Sequence, residues 1–258
     1  MKVVDCVQGD GTWIQSRLGH LTASRISEAL TKLKGGGESA TRRNLVIDLA
    51  VERITGEATD HYVSAPMQRG LLLEPAAIFG YEQRMGVEVE RVGFVLHPTI
   101  EMAGCSPDGI VGDGIVQAKC PLPRTHATYL LGEVVPSEYI PQCMWELACT
   151  GKAWCDFVSY CPDFPEPLDL FICRLERDDT GIAGMEAEAV RFLAEVENTV
   201  LRLRGGLEGL LEASVANHES GEFVDSGRLE AQGEALQPLV PRAVIPPLVD
   251  MARVFDED

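Results

Sequence analysis

Apolar positions recur at helical spacing on both sides of a central region where they instead alternate with polar ones over short runs. Ile26, Ala29, Leu30 and Leu33 follow the helical period, which predicts a helix entered from Trp13–Ser24 with Thr22 or Ser24 as its cap. Leu45, Val46, Leu49 and Ala50 predict a second helix over Ala40–Ile54. Met67–Met85 reads as a long third helix despite Gly70 and Pro75, with Ala76, Ala77, Phe79 and Tyr81 packing inward. Val87–Leu96, Met102–Cys105 and Ile115–Lys119 are patterned as strands and are expected to form the core of one sheet. A short helix follows over Arg124–Leu131. Another spans Ser137–Thr150, with Pro141 near its start, where a missing N–H is tolerated, and Ile140, Met144, Leu147 and Ala148 as its packing stripe. Trp154–Tyr160 and Leu168–Arg174 are strands around a proline-rich turn, and after Asp178 a helix runs through Met185, Val190, Leu193, Val196, Val200 and Leu203 until Gly205 and Gly206 interrupt it. Strands followed and flanked by helices predict an α/β fold with a central mixed β-sheet.

The rest of the chain connects these elements. Residues 1–12 form a lead, Gly35–Gly37 a flexible link without the lysine of a phosphate loop, and Gly56–Ala65 a polar loop. From about Ala213 the periodicity is lost and a proline-containing segment follows. The expected division is therefore a domain over residues 1–212 and a tail over 213–258, either extended over the body or a partner or disordered.

Charge narrows the function classes. The net charge is −18, from 40 acids against 22 lysines and arginines, which argues against a general nucleic-acid coat. A chain with this balance that attracts a polyanion must gather its basic residues locally. The eight cysteines include no Cys-x-x-Cys pair or zinc-spaced cluster, and MKVVDCVQGDG has no apolar signal core. A reduced, cytoplasmic protein with no membrane role and with packing cysteines is expected.

The candidate chemistry lies in Ala103–Pro121, AGCSPDGIVGDGIVQAKCP. A turn carries Asp108, a second turn follows, and the strand Ile115–Lys119 sends Ile115, Gln117 and Lys119 to one face. A carboxylate, an amide and an ammonium thus share one surface. Two carboxylates and a backbone carbonyl in such a place hold Mg²⁺, while a lysine positions or deprotonates the attacking water. Here the second acid is missing, because position 117 is glutamine. Taken alone, an Asp-Gly turn before a lysine-bearing strand occurs in many α/β proteins.

Four separated segments resemble one family in order. Pro107–Asp108 with Gln117–Ala118–Lys119–Cys120–Pro121 is similar to the PD-(D/E)xK signature as the lambda-exonuclease-like, YqaJ-type viral recombinase branch carries it, where Glu-x-Lys-Cys-Pro is usual. Trp13–Ser24 resembles that branch's opening W-x-x-x-R-x-G-x-x-T-A-S, Gly70–Pro75 its Gly and Glu-Pro helix, and Tyr139–Gln142 its Tyr-x-x-Gln helix. The resemblance spans roughly residues 10–175. It implies a restriction-endonuclease-like core and a Mg²⁺-dependent (or Mn²⁺-dependent) 5′ to 3′ exonuclease acting on double-stranded DNA ends. The resulting 3′ overhang would pass to a single-strand annealing protein, and a ring-like homotrimer would enclose the DNA. It also implies site roles: Asp108, Gln117 and the Ala118 carbonyl at the metal, Lys119 at the water, Glu74 and Gln142 beside them, and Trp13, Arg17 and Ser24 at the 5′-phosphate. Simpler roles remain open for three of these: a cap for Ser24, a solvated helix acid for Glu74, and a backbone-satisfied buried amide for Gln142. Arg124 and His126 either approach DNA or face water.

An amide at 117 keeps the shape of glutamate but removes a negative charge from a hard-cation site, so metal affinity and hydrolysis should both fall. Either glutamate was replaced at 117 in the laboratory to trap uncut DNA, or the glutamine is natural and Glu74 compensates; the fit of everything around it favours replacement. A restriction-type endonuclease and a DNA-end binding module without nuclease activity are the rival classes.

Overall fold

A computed structural model describes residues 1–31, 37, 39–59 and 65–219. The expected positions Leu33, Gly35 and Gly36, part of the 56–65 loop, and the tail from 220 onward lie outside the described residues. The chain divides into two compact units, Met1–Glu208 and Gly209–Asp258. The first unit carries all the site residues named above.

The elements are β1 (Lys2–Val4), α1 (Gly11–Arg17), β2 (Leu21–Thr22), a 3-10 turn (Ala23–Arg25), α2 (Ile26–Leu30), α3 (Ala40–Thr55) and α4 (Ala65–Met85). There follow β3 (Phe94–Leu96), β4 (Ala103–Cys105), β5 (Gly109–Val111), β6 (Gly114–Lys119), α5 (Pro123–Gly132), α6 (Ile140–Thr150), β7 (Trp154–Tyr160), β8 (Leu170–Glu176) and α7 (Asp179–Glu219). The fold is mixed α/β, as the pattern predicts, but its strands form two four-stranded mixed sheets instead of one. The first has the order β1-β3-β4-β2 and the second β5-β6-β7-β8. In the second sheet β6 and β7 run parallel, in register from Gly114↔Trp154 to Lys119↔Ser159, with antiparallel edges at β5 and β8.

The alternation in β6 is observed. Val116 and Ala118 pack with Ala77, Ile78 and Tyr81 of α4, while Ile115 faces Cys143, Met144 and Leu147 of α6. Helix α6 also sends Trp145 and Cys149 into the core formed by the first sheet with α2, α3 and α7. It therefore serves both sheets, and this is why Cys143–Thr150 is buried on every side. Burial of each large apolar side chain here is worth about 1.5–3 kcal/mol.

Four local expectations are corrected. In α4 the inward face is Ala77, Ile78 and Tyr81; Phe79 lies about 100° of helical rotation away and is 62% exposed, and Ala76 is exposed too. The segment leading to α2 is not one capped helix: α1 is capped by Asp10, which accepts from Trp13 N at 2.6 Å, and neither Thr22 nor Ser24 caps a helix. Helix α7 continues through Gly205 and Gly206, since helical glycine costs only about 1 kcal/mol relative to alanine, and its packing stripe is Ala189, Phe192, Leu193, Val196 and Val200, with Val190 and Leu203 exposed. Finally, the lead contains β1, and Gly109, expected in the turn, opens the strand Gly109–Val111. It joins β6 through a two-residue turn whose first residue, Gly112, has φ +54°.

His126 belongs to the core and not to a DNA surface. It is fully buried, with Nδ1 2.7 Å from Ser159 Oγ and Nε2 2.8 Å from the Leu168 carbonyl. His126→Ala leaves both partners unsatisfied beside a cavity. It is expected to destabilise the fold by roughly 2–4 kcal/mol, read as a lower urea midpoint. Arg124 is exposed.

All eight cysteines are free, and five of them are buried. Among the described residues no helix is long and apolar enough to cross a membrane.

Candidate active site

The chain passes from β4 of the first sheet to β5 of the second over Ser106–Asp108. Gly109 follows because no Cβ fits there: it would lie 2.0 Å from Val89 Cγ1. Side chains from three directions hold this crossing. Gln8 Nε2 donates to the Pro107 carbonyl at 2.9 Å, and Arg91 Nη1 to the Asp108 carbonyl at 2.9 Å. Trp13 Nε1 and Arg17 Nη1 both donate to Ser106 Oγ, at 2.9 and 3.0 Å, and the Arg17 guanidinium lies 4.2 Å over the Trp13 ring. Burial lowers the Arg17 pKa from its ordinary value, yet an arginine remains cationic.

Asp108 is 8% exposed. Its Oδ2 accepts from Ala118 N at 2.7 Å and from Gln117 Nε2 at 2.6 Å, while Oδ1 has no hydrogen bond among the described residues. Burial and, after it, the nearby Glu74 charge push its carboxyl up to about 7. Gln117 is 2% exposed. Its Oε1 accepts from Gln142 Nε2 at 2.8 Å, and Gln142 Oε1 accepts from Lys119 Nζ at 3.3 Å. The ammonium rests 5.1 Å above the Tyr139 ring, which is stacked on Phe157. Asp108, Gln117, Ala118, Lys119 and Gln142 thus form one connected group, and Gln142 bonds to side chains, not to backbone.

Glu74 is beside this group and outside its hydrogen-bond chain. It forms an ion pair with Arg91 at 2.8 Å and is not a free solvated acid. Ser24 is exposed in the 3-10 turn and meets Thr22 Oγ1 at 3.2 Å; no bond joins it to Arg17. Two residues were not anticipated from sequence. Arg91 lies in Val87–Leu96, patterned as a strand, but the strand forms only over Phe94–Leu96 and Arg91 is in the irregular part before it. Glu146 carried one signal: it is an acid inside the apolar run Met144–Cys149, four residues after Gln142.

The donor set suits a hard cation. Asp108 offers a carboxylate oxygen, Ala118 a carbonyl and Gln117 an amide oxygen, all of the class Mg²⁺ prefers. The amide at 117 turns its N–H toward Asp108 in this structure, so it must rotate before its oxygen faces an ion. Among the described residues no cluster of three or more acid, histidine or cysteine ligands exists.

An acid-bearing turn against an amide and a lysine on a sheet strand, with an arginine tied to the same turn, defines an α/β protein of the nuclease type. The model of the YqaJ-like viral recombinase domain matches residues 12–153, and the chain belongs to that family. The crystal structure of an alkaline exonuclease, LHK-Exo, from Laribacter hongkongensis is 40% identical. The match covers 78% of this chain and 100% of that one with a TM-score of 0.73, and the same enzyme in complex with dAMP matches at 0.72. A phage-related exonuclease from Haemophilus somnus 129PT shares the fold at 13% identity, over 71% of this chain and 96% of its own, with a TM-score of 0.58. No curated protein sequence matches significantly.

Proposed function

We propose that this protein is a divalent-metal-dependent deoxyribonuclease that digests one strand of duplex DNA from its 5′ end, and that Gln117 leaves it impaired. One observation carries the reading. Asp108 is bonded to the strand that bears Gln117 and Lys119, and two residues away the same turn is bonded to Arg17. A cationic anchor and a hydrolytic set are thereby held on one crossing. The likeness to an alkaline exonuclease supports the class, and the dAMP complex of that enzyme is in keeping with a nucleoside monophosphate as the unit released.

In this reading Asp108, residue 117 and the Ala118 carbonyl would hold Mg²⁺, or Mn²⁺, which would supply charge stabilisation at the scissile phosphate and a more acidic water. Lys119 orients that water, and Gln142 fixes the lysine. Arg17, stacked on Trp13, binds the 5′-phosphate with Ser24. Glu74 does not replace the missing acid while Arg91 holds it. Glutamine stands where this chemistry calls for glutamate.

The wider reading follows from the resemblance. The product is a 3′ overhang for a single-strand annealing protein, made in the cytoplasm by a homotrimer around DNA, with residues 1–212 as the nuclease domain and 213–258 as its tail. Self-association is supported by an exposed stripe on α4 formed by Leu72, Pro75, Ala76 and Phe79, which are spaced to share one helical face.

The test is digestion of linear duplex labelled at either end, with Mg²⁺, by the chain as it stands and by Gln117→Glu, with a supercoiled circle as control. Loss of label from the 5′ ends, mainly by the glutamate form, with the circle intact, is the expected result. A cut circle would instead indicate a restriction-type endonuclease, and retention of DNA ends without cutting by either form an end-binding module.

A further inference from the structure

Helix α6 buries an acid that this mechanism does not use. Glu146 lies one turn beyond Gln142 and is fully buried; its Oε1 accepts from Gln142 Nε2 at 3.0 Å, while Oε2 has no partner among the described residues. It lies within the electrostatic reach of Arg17 on one side and of Asp108 and Lys119 on the other. A buried carboxyl with an unpartnered oxygen is costly to keep, so its place invites explanation.

The explanation lies in the amides it touches. Gln142 has two N–H donors and one acceptor oxygen. Glu146 Oε1 takes one donor and Gln117 Oε1 the other, which leaves the Gln142 oxygen for the ammonium of Lys119. An acceptor beneath Gln142 and a donor above it leave one orientation for its amide. That orientation fixes which atom of residue 117 faces Asp108. The row Glu146, Gln142, Gln117, Asp108 is a chain in which each member sets the next.

We propose that Glu146 is a positioning residue of the active site: through Gln142 it aims the side chain at 117 and seats Lys119. With glutamate at 117, Gln142 would hold one carboxylate oxygen and leave the other for the cation. Glu146 acts by the place of its Oε1, not by its charge, since burial pushes its carboxyl well above the usual carboxylate range and favours the proton. Glutamine at 146 presents a carbonyl at the same place, whereas aspartate withdraws it by a methylene and methionine removes it.

This inference rests on the nuclease reading and is tested beside it. Mn²⁺ is titrated by electron paramagnetic resonance into the Gln117→Glu chain and into that chain carrying Glu146→Gln, Glu146→Asp or Glu146→Met. Capture of 5′-phosphorylated duplex in EDTA serves as the check that each variant is folded. Partners directly behind a ligand typically govern affinity by about 10–100-fold, and Glu146, one partner further back, acts at the lower bound, so the Asp and Met variants are expected to bind Mn²⁺ about tenfold more weakly, with the Gln variant close to its parent. Asp and Met variants that bind Mn²⁺ as tightly as the parent overturn the positioning role. So does a Gln variant as weak as the Met variant, which would make charge the cause; should the Met variant not fold, the Asp and Gln pair decides alone. A parent that binds no Mn²⁺ overturns the nuclease reading and this inference together.

Discussion

Gln117→Glu is expected to accelerate release of nucleotides from linear duplex by on the order of 100–1000-fold with Mg²⁺, because a charged metal ligand is worth several kcal/mol and each 1.4 kcal/mol is tenfold. The structure shows why the amide is a poor substitute. Its Nε2 lies 2.6 Å from Asp108 Oδ2, so a hydrogen-bond donor is turned toward the ligand that a cation needs. Glutamate removes that donor and adds a charge, at a cost in the metal-free protein. Two buried carboxyls on neighbouring strands repel each other, and one of them must keep a proton. The variant is therefore expected to melt lower than the parent in EDTA and to gain more from Mg²⁺ or Mn²⁺ than the parent does. A variant with an unchanged rate and no metal-dependent melting shift would refute the role given to position 117.

The second large effect is on stability. Asp108→Asn is expected to abolish hydrolysis and yet to raise the melting temperature at pH 8. The Asp108 carboxyl rises from its ordinary value of 3.8 to about 7 on folding, first because it is buried and then because Glu74 is near. The sign follows directly. Below pH 4 the group is neutral in both the folded and the unfolded chain and costs nothing. As pH rises from 4 toward 7 the unfolded chain loses the proton first, so stability falls, and above 7 the penalty is constant at roughly 4 kcal/mol. Asparagine keeps an oxygen for the Ala118 and Gln117 donors without the charge. The melting temperature in EDTA should rise by roughly 5–10 °C at pH 8, and the difference should close as pH falls to 4. A lower melting temperature at pH 8, or a gain independent of pH, would show that the buried charge is not what strains the site.

How far the sequence foretold this site depended on the range of the interactions involved. The period-two pattern of Ile115–Lys119 is a local property, and it correctly put Gln117 and Lys119 on one face of β6. The Asp-Gly dipeptide is a local turn signal that marked Asp108, although the lack of room at Gly109 comes from Val89, twenty residues away. The division into two sheets was not legible, because β3, β4 and β5 are three residues each and short strands do not reveal their partners. His126 read as a surface residue because its partners, Ser159 and Leu168, are distant in sequence. Phe79 was taken as core by its apolarity, though the face of α4 that packs is set by Ala77, Ile78 and Tyr81. Glu146 was hidden by its own neighbours, as a run as apolar as Met144–Cys149 reads as packing throughout.

Strand β4 of the first sheet is joined to β5 of the second over Ser106–Asp108, and that passage acts as a gauge. The hydroxyl that Arg17 and Trp13 hold is two residues along the backbone from the carboxylate that faces β6. Covalent geometry, reinforced at Pro107 by Gln8 and at Asp108 by Arg91, allows little drift between these points. For a nuclease that seats a terminal phosphate at one of them and cuts at the other, stroke length is a property of the main chain. Each cycle would remove the same length of strand whatever bases it carries.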